Sequence, residues 1–372
     1  MKRVAVIAAG LGVGAGLAAA PALAGGIERT TQSAMVLYER GNKLSFSFGT
    51  VNPTVSGTTY AVGPFAAQGT GNVSDRFNLP AMSLKMDIND QLSFALIYDE
   101  PFGASVYYDA SNAVLGATAA ESNTKAVTAL AKYQFDKNLS AFGGLRIQRS
   151  GGMTHLGGAA YGPLDGYDVT FGDDVGYGYV LGAAYEIPEM AMRVALTYNS
   201  AIDHSYDTVE NINPGATTQT ESKTPSSWNL EFQTGVAPGT LLMGSIRYVK
   251  HSQFKLYPQT FTALANRSLV NLEDTTTYRL GVGRQLNDQL SGSVMVTYEP
   301  EGDPLVSPLA PRTGMKGITF GLAYKASDQV EISGGVSYMM LGDATPATSG
   351  TARADFSDNS YTAVGMKVSY SF

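Results

Sequence analysis

Three histidines, His155, His204 and His251, and four aspartates, Asp165, Asp168, Asp173 and Asp174, are the groups in this chain whose types could do chemistry. Histidine beside carboxylate serves general acid–base catalysis or metal binding, and clustered acids hold Ca²⁺ through oxygen. The patterns that assemble such sites are missing. There is no Gly-x-Ser-x-Gly elbow, no His-Glu-x-x-His and no phosphate-binding glycine loop, and the aspartate spacing is not that of an EF-hand. The chain has no cysteine, which removes thiolate chemistry and disulfides. The residues predict solvated loop acids, no enzyme activity, no cofactor and no metal. A second set, Lys132, Arg146, Arg193, Glu231, Arg247, Arg279 and Glu331, alternates with apolar residues. Most of it reads as a solvated ion-pair lattice, with one or two of the arginines able to hold a ligand carboxylate bidentately; the residues do not say which.

The elements that must carry these charges show in composition and spacing. Residues 1–24 have Lys2 and Arg3 before an apolar run, Val4 to Ala20, and end in Ala22-Leu23-Ala24, the pattern of a cleaved export signal. The expected mature chain begins at Gly25. Loss of Lys2 and Arg3 takes the formal charge from -7 to -9, which argues against a nucleic-acid partner. Charged residues are 15% of the chain, below the roughly 25% of a soluble domain, while Gly (42) and Tyr (21) are abundant. No apolar run after the signal reaches the about 20 residues of a membrane helix.

Short polar breaks recur at Asn89-Asp90, Asp136-Lys137-Asn138, Pro188-Glu189, Pro238-Gly239, Asn287-Asp288 and Ser327-Asp328. Each can close a tight hairpin, and each is flanked by alternating residues such as Met192, Val194, Leu196, Tyr198 and Ile318, Phe320, Leu322, Tyr324. The partners in alternation are small, polar or charged. Six turns define twelve strands; Lys43 to Gly57 and Tyr361 to Phe372 add two. The pattern predicts an all-β fold, a 14-stranded antiparallel transmembrane β-barrel over 43–372, with apolar residues toward lipid and polar ones toward a lumen. Tyr98, Tyr198, Tyr248 and Tyr298 fall at matching points and predict an aromatic girdle. The alternation Val364, Met366, Val368, Tyr370, Phe372 resembles the last-strand signal read by the barrel-assembly machinery. Outer-membrane lipid and lipopolysaccharide are then the expected surroundings, and the barrel is expected to be a monomer.

Two segments break the regularity. Residues 25–42, with Met35, Val36, Leu37 and Tyr38 in a row, predict an N-terminal plug inside the lumen. Residues 92–108 alternate cleanly until Asp99, Glu100, Pro101, Phe102 and Gly103, where proline and glycine should bend or bulge the strand. The longest inter-strand segment, 150–175, carries Met153, Leu156, Leu164 and Phe171 where a hydrophilic porin would place charge. Signal, plug, fourteen strands and PAMSLKMDINDQLSFALIYDEPFG at 80–103 together resemble the FadL-type long-chain fatty-acid transporters of the outer membrane. The plug motif Asn-Pro-Ala of that family is absent; Asn52-Pro53 lies on the first strand instead.

The resemblance implies a mechanism: capture of a long-chain fatty acid or other hydrophobic molecule at the loops, a pocket beside the plug, and exit sideways where the third strand kinks. It implies ligand contacts at Met35, Val36, Leu37, Tyr38, Phe102, Leu156 and Phe171, and a lateral gate at 99–103. The alternatives are a diffusion porin for hydrophilic solutes and a surface adhesin or receptor.

Overall fold

The computed structural model describes residues 26–372; the expected signal peptide and its cleavage point lie outside them. Seventeen hydrogen-bonded segments form one closed sheet, and three of its fourteen strands are split. In chain order they are β1 (Lys43–Thr54), β2 (Phe77–Asp87), β3 (Leu92–Asp99 and Gly103–Tyr107), β4 (Ala119–Gln134), β5 (Leu139–Leu156), β6 (Tyr167–Ile187) and β7 (Met192–Asn199 and Ile202–Glu210). The second half comprises β8 (Thr218–Thr224 and Ser227–Ala237), β9 (Thr240–Val249), β10 (Thr275–Gln285), β11 (Leu290–Glu299), β12 (Thr313–Lys325), β13 (Val330–Gly342) and β14 (Ser360–Ser371). Strands β1 and β14 close the ring, antiparallel from Lys43↔Ser371 to Thr54↔Ser360.

The six expected turns lie where the polar breaks stand, and four share one mechanism. Asn89, Asp136, Asn287 and Ser327 each accept backbone N–H bonds two and three residues ahead with their side-chain oxygens. Such Asx and Ser turns satisfy the backbone where the ladder stops. Between the turns the outer face is apolar and bare: Leu145 is 70% exposed and Tyr177 72%, and Phe46, Phe320 and Met366 stand out likewise. Arg146 and Arg247 face inward and are buried. An exterior of this kind is stable only against lipid, where each backbone group is already paired within the closed ladder. Tyr198 and Tyr248 flank Trp228 in direct register, and Tyr278 faces Tyr298, so aromatic residues stand side by side along this wall.

The longest predicted segment above the membrane, 150–175, is shorter than the sequence predicts. Of the 150–175 loop, residues 150–156 extend β5 and 167–175 begin β6. Tyr167, Val169 and Phe171 alternate inward there, a period-2 signal hidden by the surrounding Gly and Asp. The remaining connections fold over the barrel mouth around Tyr108, Leu115, Leu156, Tyr161, Phe261 and Phe356, all buried. Phe261 belongs to a short helix, α1 (Gln259–Ala265), whose first N–H groups donate to the buried carboxylate of Glu210 on β7.

Candidate functional site

Residues 26–42 lie inside the barrel and divide the lumen unequally. One turn of 3-10 helix, Met35–Tyr38, turns Leu37 into an apolar cluster with Ala95 on β3, Leu130 on β4, Phe142 on β5 and Val180 on β6. The Tyr38 ring meets Phe142 edge-on, and Lys132 and Arg193 each approach it at 4.7 Å, an arrangement held by ring quadrupole and cation. Its hydroxyl bonds Ser140 Oγ at 2.9 Å. On the other side the segment leaves a cavity of about 1100 Å³, lined by Met35, Val36 and Tyr38, by Glu231, Arg247 and Arg279, and by Met243, Met295 and Met339. Of the four residues expected to touch ligand here, three line the cavity and Leu37 anchors the segment to the wall.

The segment crosses the lumen through polar bonds. Ser33 Oγ donates to Glu231 on β8 at 2.7 Å. Arg247, only 1% exposed, donates through Nε to the Glu28 carboxylate, through Nη2 to Gln32 Oε1 at 3.0 Å and through Nη1 to Ser227 Oγ at 3.1 Å and to Asn229. Breaking such a buried pair by removing one partner typically costs about 3–5 kcal/mol, because it leaves an uncompensated charge. The lumen arginines thus differ: Arg247 holds the plug, Arg146 donates to Thr128 at 2.8 Å, and Arg193 to Gln233 at 3.1 Å.

At the far wall the segment meets the break in β3. Tyr98 pairs with Met82 on β2, and there the β2–β3 ladder ends. Above it β2 continues to pair with β1 as far as Phe77. On the β4 side the register slips by one residue between Asp99↔Ala126 and Gly103↔Asn123, a bulge with an extra residue on β3. The result is an opening between β2 and β3 at the top of the apolar belt, where the outward row Tyr98, Val127, Ile147 gives way to Glu100, Lys125 and Arg149. The plug fills it. Pro101 O accepts from the N–H of Arg29 at 2.8 Å and of Thr30 at 3.3 Å, and Ile27 O accepts from Gly103 N–H at 2.7 Å. Thr30 Oγ1 donates to Asp99 at 2.7 Å.

Each residue assigned to the gate therefore has a place. Asp99 anchors the plug, Pro101 and Gly103 pair with it, and Phe102, 1% exposed, is pinned by Thr124 on β4. Glu100 stands at the rim. The loop residues diverge: Phe171 packs against Tyr206 inside the cap, with ring centroids 5.8 Å apart, while Leu156 lines a second cavity of about 470 Å³ under the loops. Tyr161, Leu269, Val306 and Leu309 are among its apolar lining, Ser268, Asn271 and Thr348 among its polar lining, and Lys255 and Arg267 supply cations.

The chemistry-bearing residues are not gathered into a site. His155 bonds Asp168 at 3.1 Å, His204 bonds Asp174 at 3.0 Å, Arg149 takes Asp173, and Asp165 accepts from Gly158 N–H. Among the described residues no group of three or more His, Asp or Glu is placed to hold a metal ion. His251 is buried against Gly26 with neither ring nitrogen hydrogen-bonded. Burial, reinforced by the Arg247 charge, pushes its pKa down to about 3.

A barrel with an internal plug and a plugged opening in its third strand is a specific arrangement, and one known family matches the chain. The family described as outer membrane protein transport protein (OMPP1/FadL/TodX) matches residues 7–372. The chain belongs to this family. OMPP1/FadL/TodX proteins are outer-membrane transporters of hydrophobic compounds, and the barrel is a multi-pass outer-membrane protein. Among solved structures, a Pseudomonas aeruginosa FadL homologue is 16% identical with a TM-score of 0.72, over 91% of this chain and 92% of that one. The Pseudomonas putida toluene transporter TodX is 13% identical with a TM-score of 0.61, over 91% and 92%. The Ralstonia pickettii toluene transporter TbuX is 12% identical with a TM-score of 0.61, over 90% of each. These likenesses concern the fold. No curated protein matches the chain.

Glu28, Arg29, Gln32 and Ser33 hold the plug in place, and none was singled out from the sequence. Their partners lie far away; Glu28 and Arg247 are separated by 219 positions. The one available signal was a run of polar residues, Glu28 to Ser33, ahead of Met-Val-Leu-Tyr in an otherwise apolar start.

Proposed function

We propose that this transporter carries long-chain fatty acids or chemically similar hydrophobic compounds passively across the outer membrane. The ligand is taken up at the loops, held beside the plug and released sideways through β3. The observation that carries the reading is the opening between β2 and β3, closed by a segment hydrogen-bonded to it and not by neighbouring wall. The cavity at Leu156, lined by both apolar and polar residues, is the capture point, and Lys255 and Arg267 suit a carboxylate there. The cavity beside Met35, Val36 and Tyr38 reaches Ala81 and Ile97, just below the opening. Lateral release fits the energetics: an acyl chain gains about 0.8 kcal/mol per CH₂ buried in lipid, whereas a polar lumen rewards none of it. The exposed alternation of β14, ending in Tyr370 and Phe372, suits recognition by the barrel-assembly machinery, and the barrel works as a monomer in lipid and lipopolysaccharide.

Uptake of a labelled fatty acid into proteoliposomes tests this. Protein-dependent uptake that disappears when residues 99–103 are rebuilt as regular strand is the expected result. A rebuilt strand that transports as well as wild type would remove the lateral route. Large steady ion conductance of the wild type in planar bilayers would favour a hydrophilic porin instead.

A further inference from the structure

We propose that Glu28 and Arg29 form a crossbar: Arg29 is the bolt in the lateral opening and Glu28 the catch that holds it shut from the opposite wall. The proposal rests on the lateral-exit reading above and adds the residues that decide whether the exit is open.

Adjacent residues of an extended segment point in opposite directions, and here each reaches a different side of the barrel. Glu28, which forms a β-bridge with Phe102, sends its carboxylate to Arg247 on β9. Strand β9 stands six positions from β3 in a ring of fourteen, almost diametrically across. Arg29 turns the other way into the opening. Its guanidinium lies over the Phe77 ring on β2 at 4.7 Å and donates to Asn123 Oδ1 on β4 at 3.4 Å. It is 5% exposed, and with its backbone N–H on Pro101 O in the β3 break it ties β2 to β3 and to β4 behind it.

Gly103 is part of the fit. A Cβ there would stand 2.3 Å from Arg29 Cζ, so glycine makes room for the bolt as well as bending the strand. The lumen side of the opening is apolar: Leu79 on β2 is buried in one cluster with Ile27 and Phe102. The edge of β2 from Phe77 to Ala81 has no ladder partner on the β3 side, and Arg29 covers it at Phe77. Because residues 28 and 29 are consecutive, neither end can leave without pulling on the other. Release of Glu28 from Arg247 frees the strand pairing at Pro101, and with it the bolt.

The test uses the full-length protein in proteoliposomes with a fluorescent long-chain fatty acid as probe. Removing bolt or catch, as Arg29→Ala or Glu28→Gln, is expected to raise uptake severalfold, and the double variant to exceed neither single variant. The chain has no cysteine, so Thr30→Cys with Asp99→Cys, whose native side chains already meet, permits one defined crosslink between plug and gate. Locked protein should fall to the background of empty vesicles and recover on reduction. A second readout needs no ligand: labelling of Leu79→Cys by a lipid-soluble maleimide should be slow in the native background and severalfold faster with Arg29→Ala. Wild type that moves no fatty acid, combined with faster labelling, would sink the transport reading and keep the crossbar. Unchanged labelling in Arg29→Ala and Glu28→Gln, or a locked protein that transports like the reduced one, would overturn the crossbar.

Discussion

The wall is broken in two places, and the breaks behave differently. Strand β3 loses β2 above Tyr98 and slips one residue against β4. Strand β7 is interrupted at Ser200 and Ala201, and β8 beside it at Pro225 and Ser226. There the register is the same before and after: Val180↔Asn199 and Phe171↔Thr208 on one side, Asn199↔Ser227 and Ile202↔Thr224 on the other. The wall closes that gap with its own residues. Ser200 N–H donates to Tyr179 O at 3.0 Å, Ser200 Oγ accepts from Tyr179 N–H, and Ile202 fills the space left by Gly178. An interruption becomes an opening only where the register slips, the neighbouring strand lets go, and what fills the gap belongs to another, separable segment.

That contrast can be broken or sharpened by experiment. The largest effect is expected from making the two breaks regular in turn. Rebuilding 99–103 as strand should abolish uptake in proteoliposomes, whereas replacing Ser200-Ala201 by Thr-Val should leave it near wild type. Equal losses would mean that both breaks serve transport. Next, Leu37→Ala removes the apolar anchor of the filling segment, at about 2–5 kcal/mol of docking energy. Limited proteolysis should then cut residues 26–42 much faster while heat resistance of the barrel on gels stays unchanged.

Filling the other gap should affect the wall and not the plug. Gly178→Ala puts a Cβ 2.6 Å from Ile202, an overpacking worth about 1–3 kcal/mol, and should lower the barrel's unfolding midpoint in urea without altering uptake. The smallest effect is pH-dependent. With the plug docked, His251 has a pKa of about 3 among Arg247, Arg312 and Asp274, against about 6.5 once exposed. A depressed histidine favours docking fully above pH 6.5, and the contribution falls by about 1.4 kcal/mol for each pH unit below that. Proteolysis of 26–42 should therefore quicken from pH 7 to pH 5, and His251→Gln should flatten the dependence.

Much of this was legible in the sequence, for physical reasons that also mark its limits. The barrel follows from local information: period-2 alternation and turns closed by Asn89, Asp136, Asn287 and Ser327 need no distant partner. The β3 break was legible because Pro101 cannot donate to a ladder. The β7 break was not, since Ser200 and Ala201 are ordinary strand residues and only the tertiary fit of Ile202 on Gly178 makes room there. Phe171 illustrates another limit. Its apolar character was plain, but whether an apolar residue meets ligand or its own cap depends on what folds over it, here Tyr206. The crossbar was invisible because an ion pair across a lumen leaves no periodicity.

The seam between β1 and β14 also limits how the filling segment can be seated. Residues 26–42 are joined directly to β1, yet they end enclosed by a ring whose last ladder pairs Lys43 with Ser371. Sideways entry is possible only while that seam is unzipped; once β14 has paired, the segment can enter only end-on, from the mouth at which Lys43 stands. The apolar cluster around Leu37 draws its wall residues, Ala95, Leu130, Phe142 and Val180, from β3 to β6 alone, so its seat is complete without the second half of the ring. A variant that weakens it should show its defect first as slow or unplugged assembly, before any fault appears in the finished transporter.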